Sequence, residues 1–127
     1  MIVVDSSVWV AALRRAHSRD AATLGALLDH DEVGLPLPVR IELLSGASNA
    51  DRPRLKRALS ALPVLYPTPE TWSLMTDWID RSGSRGERFG LGDLLIAALA
   101  EESGALIWSL DADFQRMESL GLVHRYD

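Results

Sequence analysis

Short apolar runs alternate with helical patterns along this chain, and that alternation limits its fold more than any other feature. Ile2-Val3-Val4 is a β-branched run that stops at Asp5 and fits a buried strand. Ser6 or Ser7 can then cap a helix running through Val8, Trp9, Ala12 and Leu13. Arg14, Arg15, His17 and Arg19 make a polar break. Asp20 is placed to cap a second helix, with Ala21, Leu24, Leu27 and Leu28 at helical spacing. Val33-Gly34-Leu35 predicts a second strand. Pro36 and Pro38 lead into a third helix that carries Val39, Ile41, Glu42, Leu43 and Leu44 and closes at Gly46.

The second half repeats the rhythm. Pro53 opens a basic helix through Leu59, and Val64-Leu65-Tyr66 predicts a third strand. Thr68 can cap a helix on which Trp72, Met75 and Ile79 share a stripe. The stretch from Arg81 to Gly92 is rich in glycine and arginine and reads as a loop. Leu91 to Ser103 is apolar nearly all round, hence a buried helix, ended by Gly104. Ala105 to Leu110 predicts a strand running into Asp111. A last helical turn from Phe114 to Leu120 and a short strand at Leu122-Val123 complete the pattern. Strands alternating with helices predict an α/β fold, a parallel sheet with helices on both faces, in a single domain over residues 1–127. Strand order does not follow from the sequence alone.

Composition excludes several classes of chemistry. The chain has no cysteine, so disulfides, thiolate zinc sites and cysteine nucleophiles are ruled out. The longest strongly apolar stretch, Leu94 to Ala100, is too short to span a bilayer. A charge at Asp5 leaves no room for the apolar region of a secretory signal, so a cytoplasmic location is expected. Net charge is −5, which argues against indiscriminate nucleic-acid binding. Lys56 is nevertheless the only lysine, and every other basic residue is arginine, the better fork for phosphate.

The acids are placed unusually. Two predicted strands end in one, at Asp5 and at Asp111 with Asp113 close behind. In open α/β sheets the carboxyl ends of the strands form the ligand crevice. Asp93 opens the most apolar helix, and Glu42 sits among apolar neighbours. Clustered carboxylates in such settings cannot all stay ionised without cations. Mg²⁺ answers that need, because it takes oxygen ligands and requires few carboxylates from the protein. Without Asp5, Glu42, Asp93, Asp111 and Asp113, the remaining acids and bases are equal in number. Taken singly, each acid has a plainer reading. Asp5 can begin a turn, Asp93 can cap a helix after Gly92, Glu42 can lie on a polar helix side, and Asp111 with Asp113 can form a turn.

The pattern of flanking residues adds to this. Asp5-Ser6-Ser7-Val8-Trp9 follows the first strand, and Arg40-Ile41-Glu42-Leu43-Leu44-Ser45-Gly46-Ala47 lies in the middle. Gly92-Asp93-Leu94-Leu95-Ile96-Ala97-Ala98-Leu99-Ala100 and Trp108-Ser109-Leu110-Asp111-Ala112-Asp113-Phe114 come later. In this order the blocks resemble a PIN-domain nuclease, specifically the VapC-type toxins of type II toxin–antitoxin systems. The resemblance implies a PIN-like three-layer α/β/α architecture with a parallel, roughly five-stranded sheet. It implies a Mg²⁺- or Mn²⁺-dependent endoribonuclease, usually a homodimer, inhibited by a cognate antitoxin. Asp5, Glu42 and Asp93 match the core metal-binding acids, Asp111 the fourth acidic position, and Asp113 the acid before the family's Phe. Ser7 matches a hydroxyl that supports the first Asp. Ser109 stands where the family commonly has Thr and retains the hydroxyl. Gly34-Leu35-Pro36-Leu37-Pro38 departs from the more β-branched run usual before the Glu.

The mechanism expected from this resemblance is metal-assisted hydrolysis. Asp5 and Asp93, with Asp111 or Asp113, hold the principal ion, and Glu42 holds the edge of the site and orients water. Arg81, Arg85 and Arg88 on the predicted loop, and Arg14, Arg15 and Arg19 after the first helix, are candidate phosphate contacts; a solvated charged surface is the alternative. His17, His30 and His124 lack ligand spacing to one another. Trp9 and Trp108 are expected in the core, and Trp72 and Trp78 in the core or at a dimer surface. Competing classes fit less well. A phosphoaspartyl receiver would need a lysine after a late strand, and Lys56 is misplaced. A haloacid-dehalogenase-type phosphatase would need an Asp where Ser7 stands. A PIN-fold module acting by protein or DNA contacts without cleavage is the non-enzymatic alternative.

Overall fold

A computed structural model describes residues 1–126. The first half contains β1 (Ile2–Val4), α1 (Ser6–Arg14), α2 (Arg19–Asp29), β2 (Val33–Pro36), α3 (Leu37–Gly46) and α4 (Arg52–Leu59). The second contains β3 (Val64–Leu65), α5 (Pro69–Ser84), α6 (Leu91–Glu102), β4 (Leu106–Trp108) and α7 (Ala112–Ser119). The strands form one parallel sheet in the order β3-β2-β1-β4. β1 is therefore interior, paired to β2 through Ile2↔Val33 and to β4 through Val4↔Trp108. An interior parallel strand is covered on both faces, which is why Ile2, Val3 and Val4 are all buried and show no polar alternation.

The sheet has four strands where about five were expected. Leu122 and Val123 are buried but form no strand. Leu122 folds back over α7, its N–H donating to the Met117 carbonyl at 3.0 Å. Only Arg125 then comes into register with the outer edge of β4, as a single bridge to Ile107. Flanking bonds run from Ile107 N–H to the His124 carbonyl (2.9 Å) and from Tyr126 N–H to the Ile107 carbonyl (2.8 Å). A fifth strand is thus reduced to one rung.

Two helices differ from their sequence reading. α2 is capped by Ser18, whose Oγ accepts from Ala21 N–H at 3.1 Å, so Asp20 lies inside the helix. On α5 the buried stripe is Thr71, Met75, Trp78 and Ser82. Trp72 and Ile79 face out, 45% and 56% exposed. Hydrophobicity misled here because a threonine and a serine take core positions. Thr71 can do so because its Oγ1 donates to Glu102 Oε1 at 2.6 Å and accepts from Thr68 N–H at 3.0 Å. α5 also runs on through Ser84, so Arg81 is helical and the expected loop shrinks to residues 85–90. Gly86, at φ +73°, supplies the left-handed turn that ends it.

α6 is buried as expected from Leu94 to Ala100, except for half-buried Leu95, while its first turn is exposed at Leu91. Trp9, Trp78 and Trp108 are core residues. No helix of the described residues is long and apolar enough to cross a membrane.

Candidate metal centre

The register of the sheet builds the first part of the site. Pairing Val4 with Trp108 sets the next residues, Asp5 and Ser109, side by side, and Asp5 N–H donates to the Trp108 carbonyl at 2.9 Å. Asp5 is only 5% exposed. Its Oδ2 accepts from Ser7 Oγ at 2.7 Å and from Ser109 Oγ at 2.8 Å. The same hydroxyls accept backbone N–H groups, Leu110 onto Ser7 (3.0 Å) and Asp111 onto Ser109 (2.9 Å). Two serines remote in sequence therefore orient one carboxylate and pin the chain leaving β4. Among the described residues, Oδ1 of Asp5 accepts no hydrogen bond.

The second part lies across the carboxyl edge of the sheet. Asp93 sits in the first turn of α6, whose cap is Gly90, so Asp93 is not the cap. Asp111 caps α7, its Oδ1 accepting from Asp113 N–H at 2.9 Å. Carboxylate oxygens of Asp93, Asp111 and Asp113 lie within 4.8 Å of one another. The pKa of Asp93 is raised from 3.8 to about 7. Burial is the largest cause, followed by a side-chain hydrogen bond with Asp113 and the charges of Asp111, Asp5 and Asp113. The α6 N-terminus favours an anion, yet burial and three neighbouring acids outweigh it.

Such a cluster can hold a metal ion. Its donors are carboxylate oxygens only, without imidazole or thiolate, which suits a hard divalent cation. Burial and the neighbouring acids raise the pKa of Asp93, so this carboxylate favours a proton.

Glu42 is joined more loosely. It accepts at Oε2 from Ser6 Oγ (2.7 Å), which ties α3 to the residue after Asp5. It is exposed, as is Ile41 beside it, so the expectation of an acid in apolar surroundings is corrected at this position. Asp5, Asp93, Asp111 and Asp113 converge, and Glu42 stands at their margin outside the close trio.

The arginines separate. Arg85 and Arg88 are exposed around the 85–90 loop that leads into α6. Arg81 donates from Nη2 to the Leu120 carbonyl (3.1 Å), bracing α5 against the end of α7. Arg14 ends α1, and a rise of about 1.5 Å per residue carries it roughly 13 Å along the axis from Asp5. Sequence reasoning missed Arg116. Its guanidinium donates to Asp113 Oδ1 (2.7 Å), to Glu87 Oε2 (2.9 and 3.0 Å) and to the Arg88 carbonyl (3.0 Å). The i,i+3 spacing from Asp113 was the available signal. His30 Nδ1 contacts the Ala26 carbonyl at 2.7 Å, and the acid trio includes no histidine.

Comparison with known proteins agrees with this fold. The PIN domain family model matches residues 2–120. Ribonuclease VapC11 of Mycobacterium tuberculosis is 34% identical over 119 residues, covering 90% of this chain and 89% of that protein. Ribonuclease VapC18 of the same organism is 30% identical over 122 residues, covering 92% and 87%. VapBC2 from Rickettsia felis, solved bound to a promoter DNA fragment, contains a chain of similar fold. Its TM-score is 0.80 at 19% identity, over 99% of this chain and 98% of that one. With strands that deliver acids to one edge and a family match over nearly its whole length, the chain belongs to the PIN-domain family, in its VapC-type group.

Proposed function

We propose that this protein is a divalent-metal-dependent endoribonuclease, the toxin of a type II toxin–antitoxin pair acting in the cytoplasm. The observation that carries the reading is the Asp93–Asp111–Asp113 trio, three carboxylates within 4.8 Å beside the buried Asp5. Relatives named as ribonucleases support RNA as the substrate, and VapBC complexes of the same fold support an antitoxin partner. A homodimer is part of the same proposal.

Asp5, Asp93, Asp111 and Asp113 would hold the ion, Mg²⁺ by preference and Mn²⁺ as a substitute. Bound there, a divalent ion makes water a better nucleophile and offsets charge that develops on a phosphodiester. Ser7 and Ser109 keep Asp5 Oδ2 occupied, so that the carboxylate presents Oδ1. Glu42, outside the trio and in water, accepts a proton from or orients an attacking water. Arg85 and Arg88 offset the acidic edge by contacting backbone phosphates.

The test is cleavage of a panel of structured RNAs by purified protein, with Mg²⁺, with Mn²⁺ and with chelator, alongside Asp93→Asn. Metal-dependent cleavage that the variant lacks is expected. Equal cleavage in every condition would indicate a contaminant, and silence on a broad panel would favour a module acting only by contacts.

A further inference from the structure

Arg116 is the cation that the acidic edge of this molecule holds most closely, and it does more than balance charge. It lies on α7 one turn after Asp113 and reaches across to the loop before α6. One guanidinium spans Asp113, Glu87 and the Arg88 carbonyl, and it stacks over the Phe89 ring at 4.6 Å from the centroid. Among the described residues, no other side chain hydrogen-bonds to residues 87–90. Among the described residues its other backbone hydrogen bonds lie at its ends, Glu87 N–H to the Ser82 carbonyl (2.9 Å) and Leu94 N–H to the Gly90 carbonyl (3.0 Å), while the half-buried Phe89 ring packs against the core.

We infer that Arg116 is a positioning residue, which fastens the 87–90 loop to the acid-bearing start of α7 and so fixes where Arg88 meets the RNA backbone. The RNA part of this rests on the nuclease reading above. The planar fork is essential to the arrangement. A lysine can pair with one carboxylate, but cannot bridge two, reach a carbonyl and cover an aromatic ring at once. Side chains of Arg116, Glu87 and Asp113 are 40%, 35% and 32% exposed, so the clamp adds little to global stability. Its effect falls on the geometry of the loop. Arg116 also engages only Oδ1 of Asp113.

Three variants test this: Arg116→Ala, Arg116→Lys and Glu87→Ala, with the Glu87/Arg116 double alanine. Trypsin gives a readout independent of activity, since the Arg88–Phe89 bond carries the carbonyl that Arg116 holds. Cutting there should speed up about tenfold in Arg116→Ala, as the loss of a charge-assisted restraint on local opening predicts. Lysine should fail to restore protection. RNA cleavage should fall about ten- to a hundredfold in kcat/KM, the scale of a misplaced binding group. In Glu87→Ala, whose lost side chain bonds Arg116 and none of the proposed ligands, Mn²⁺ affinity by calorimetry should stay within about threefold, well under the loss expected for a disturbed ligand shell. The double variant should be no worse than Arg116→Ala. Unchanged trypsin cutting, rescue by lysine, or Mn²⁺ binding that collapses alongside cleavage in Glu87→Ala would each overturn the assignment. If the wild type cleaves no RNA, the nuclease reading falls, while the trypsin and Mn²⁺ measurements still decide the clamp.

Discussion

Asp5 and Asp93 are both acids at the carboxyl edge of one sheet, and they are held in opposite ways. Asp5 is the more deeply buried, yet two serine hydroxyls donate to it. Asp93 is less buried, yet its closest polar neighbours are other acids. Burial is the largest cause of the raised Asp93 pKa and the acids around it add to that, whereas the buried Asp5 is met by hydroxyl donors. Asp5 is held by hydroxyl donors, whereas Asp93 is left among other acids.

The largest expected effect tests that contrast directly. Asp93→Asn and Asp5→Asn should each lower RNA cleavage about 10²- to 10³-fold, the scale for removing one electrostatic partner of a transition state. Their stabilities should move in opposite directions. Asp93→Asn removes a like charge and should raise the melting temperature of the chelated protein at neutral pH. Asp5→Asn weakens two hydroxyl contacts and should lower it. Melting curves that shift the same way would break the comparison.

The pH dependence follows from the burial of Asp93 and the acids around it. Folding raises the Asp93 pKa from 3.8 to about 7, so between those values the folded protein binds more protons than the unfolded chain. Stability of the metal-free protein then falls as pH rises through that window and levels off above it. A saturating divalent ion takes the place of the proton and should remove the slope. Urea unfolding at pH 5 and pH 8, with chelator and with Mn²⁺, measures this. Chelated protein that is no less stable at the higher pH would contradict the raised pKa of Asp93.

Smaller effects sharpen the Asp5 side. Ser109→Ala should reduce metal affinity or cleavage about ten- to a hundredfold, as loss of an orienting neighbour does. Cleavage at wild-type rate would show that Ser7 alone positions Asp5. Ser6→Ala should have the least effect, about two- to tenfold, because it frees only the exposed Glu42. A larger loss in steady-state rates would move Glu42 from the margin into the centre.

Much of the site was legible because its residues follow strand ends. Asp5 and Asp111 close apolar runs, and a parallel sheet presents such ends together. The pairing of Ser109 with Asp5 was not legible as geometry, since it depends on the Val4↔Trp108 register. Glu42 was misjudged from its apolar neighbours, because Ile41 itself points outward. The α5 stripe was misjudged because hydrogen-bonded Thr71 outcompetes Trp72 for a core position. Arg116 was overlooked because its loop partners, Glu87 and the Arg88 carbonyl, lie twenty-nine and twenty-eight residues away.

The order of residues by itself determined the alternation of strands and helices, the absence of thiol chemistry and the acids that end the strands. These are local properties of short segments, set by periodicity and residue type. Tertiary structure alone decided which hydroxyl meets which carboxylate, which acids crowd together and which arginine holds the loop. Those outcomes depend on strand register and on charges brought within a few ångströms across the sheet edge, and no local pattern encodes them.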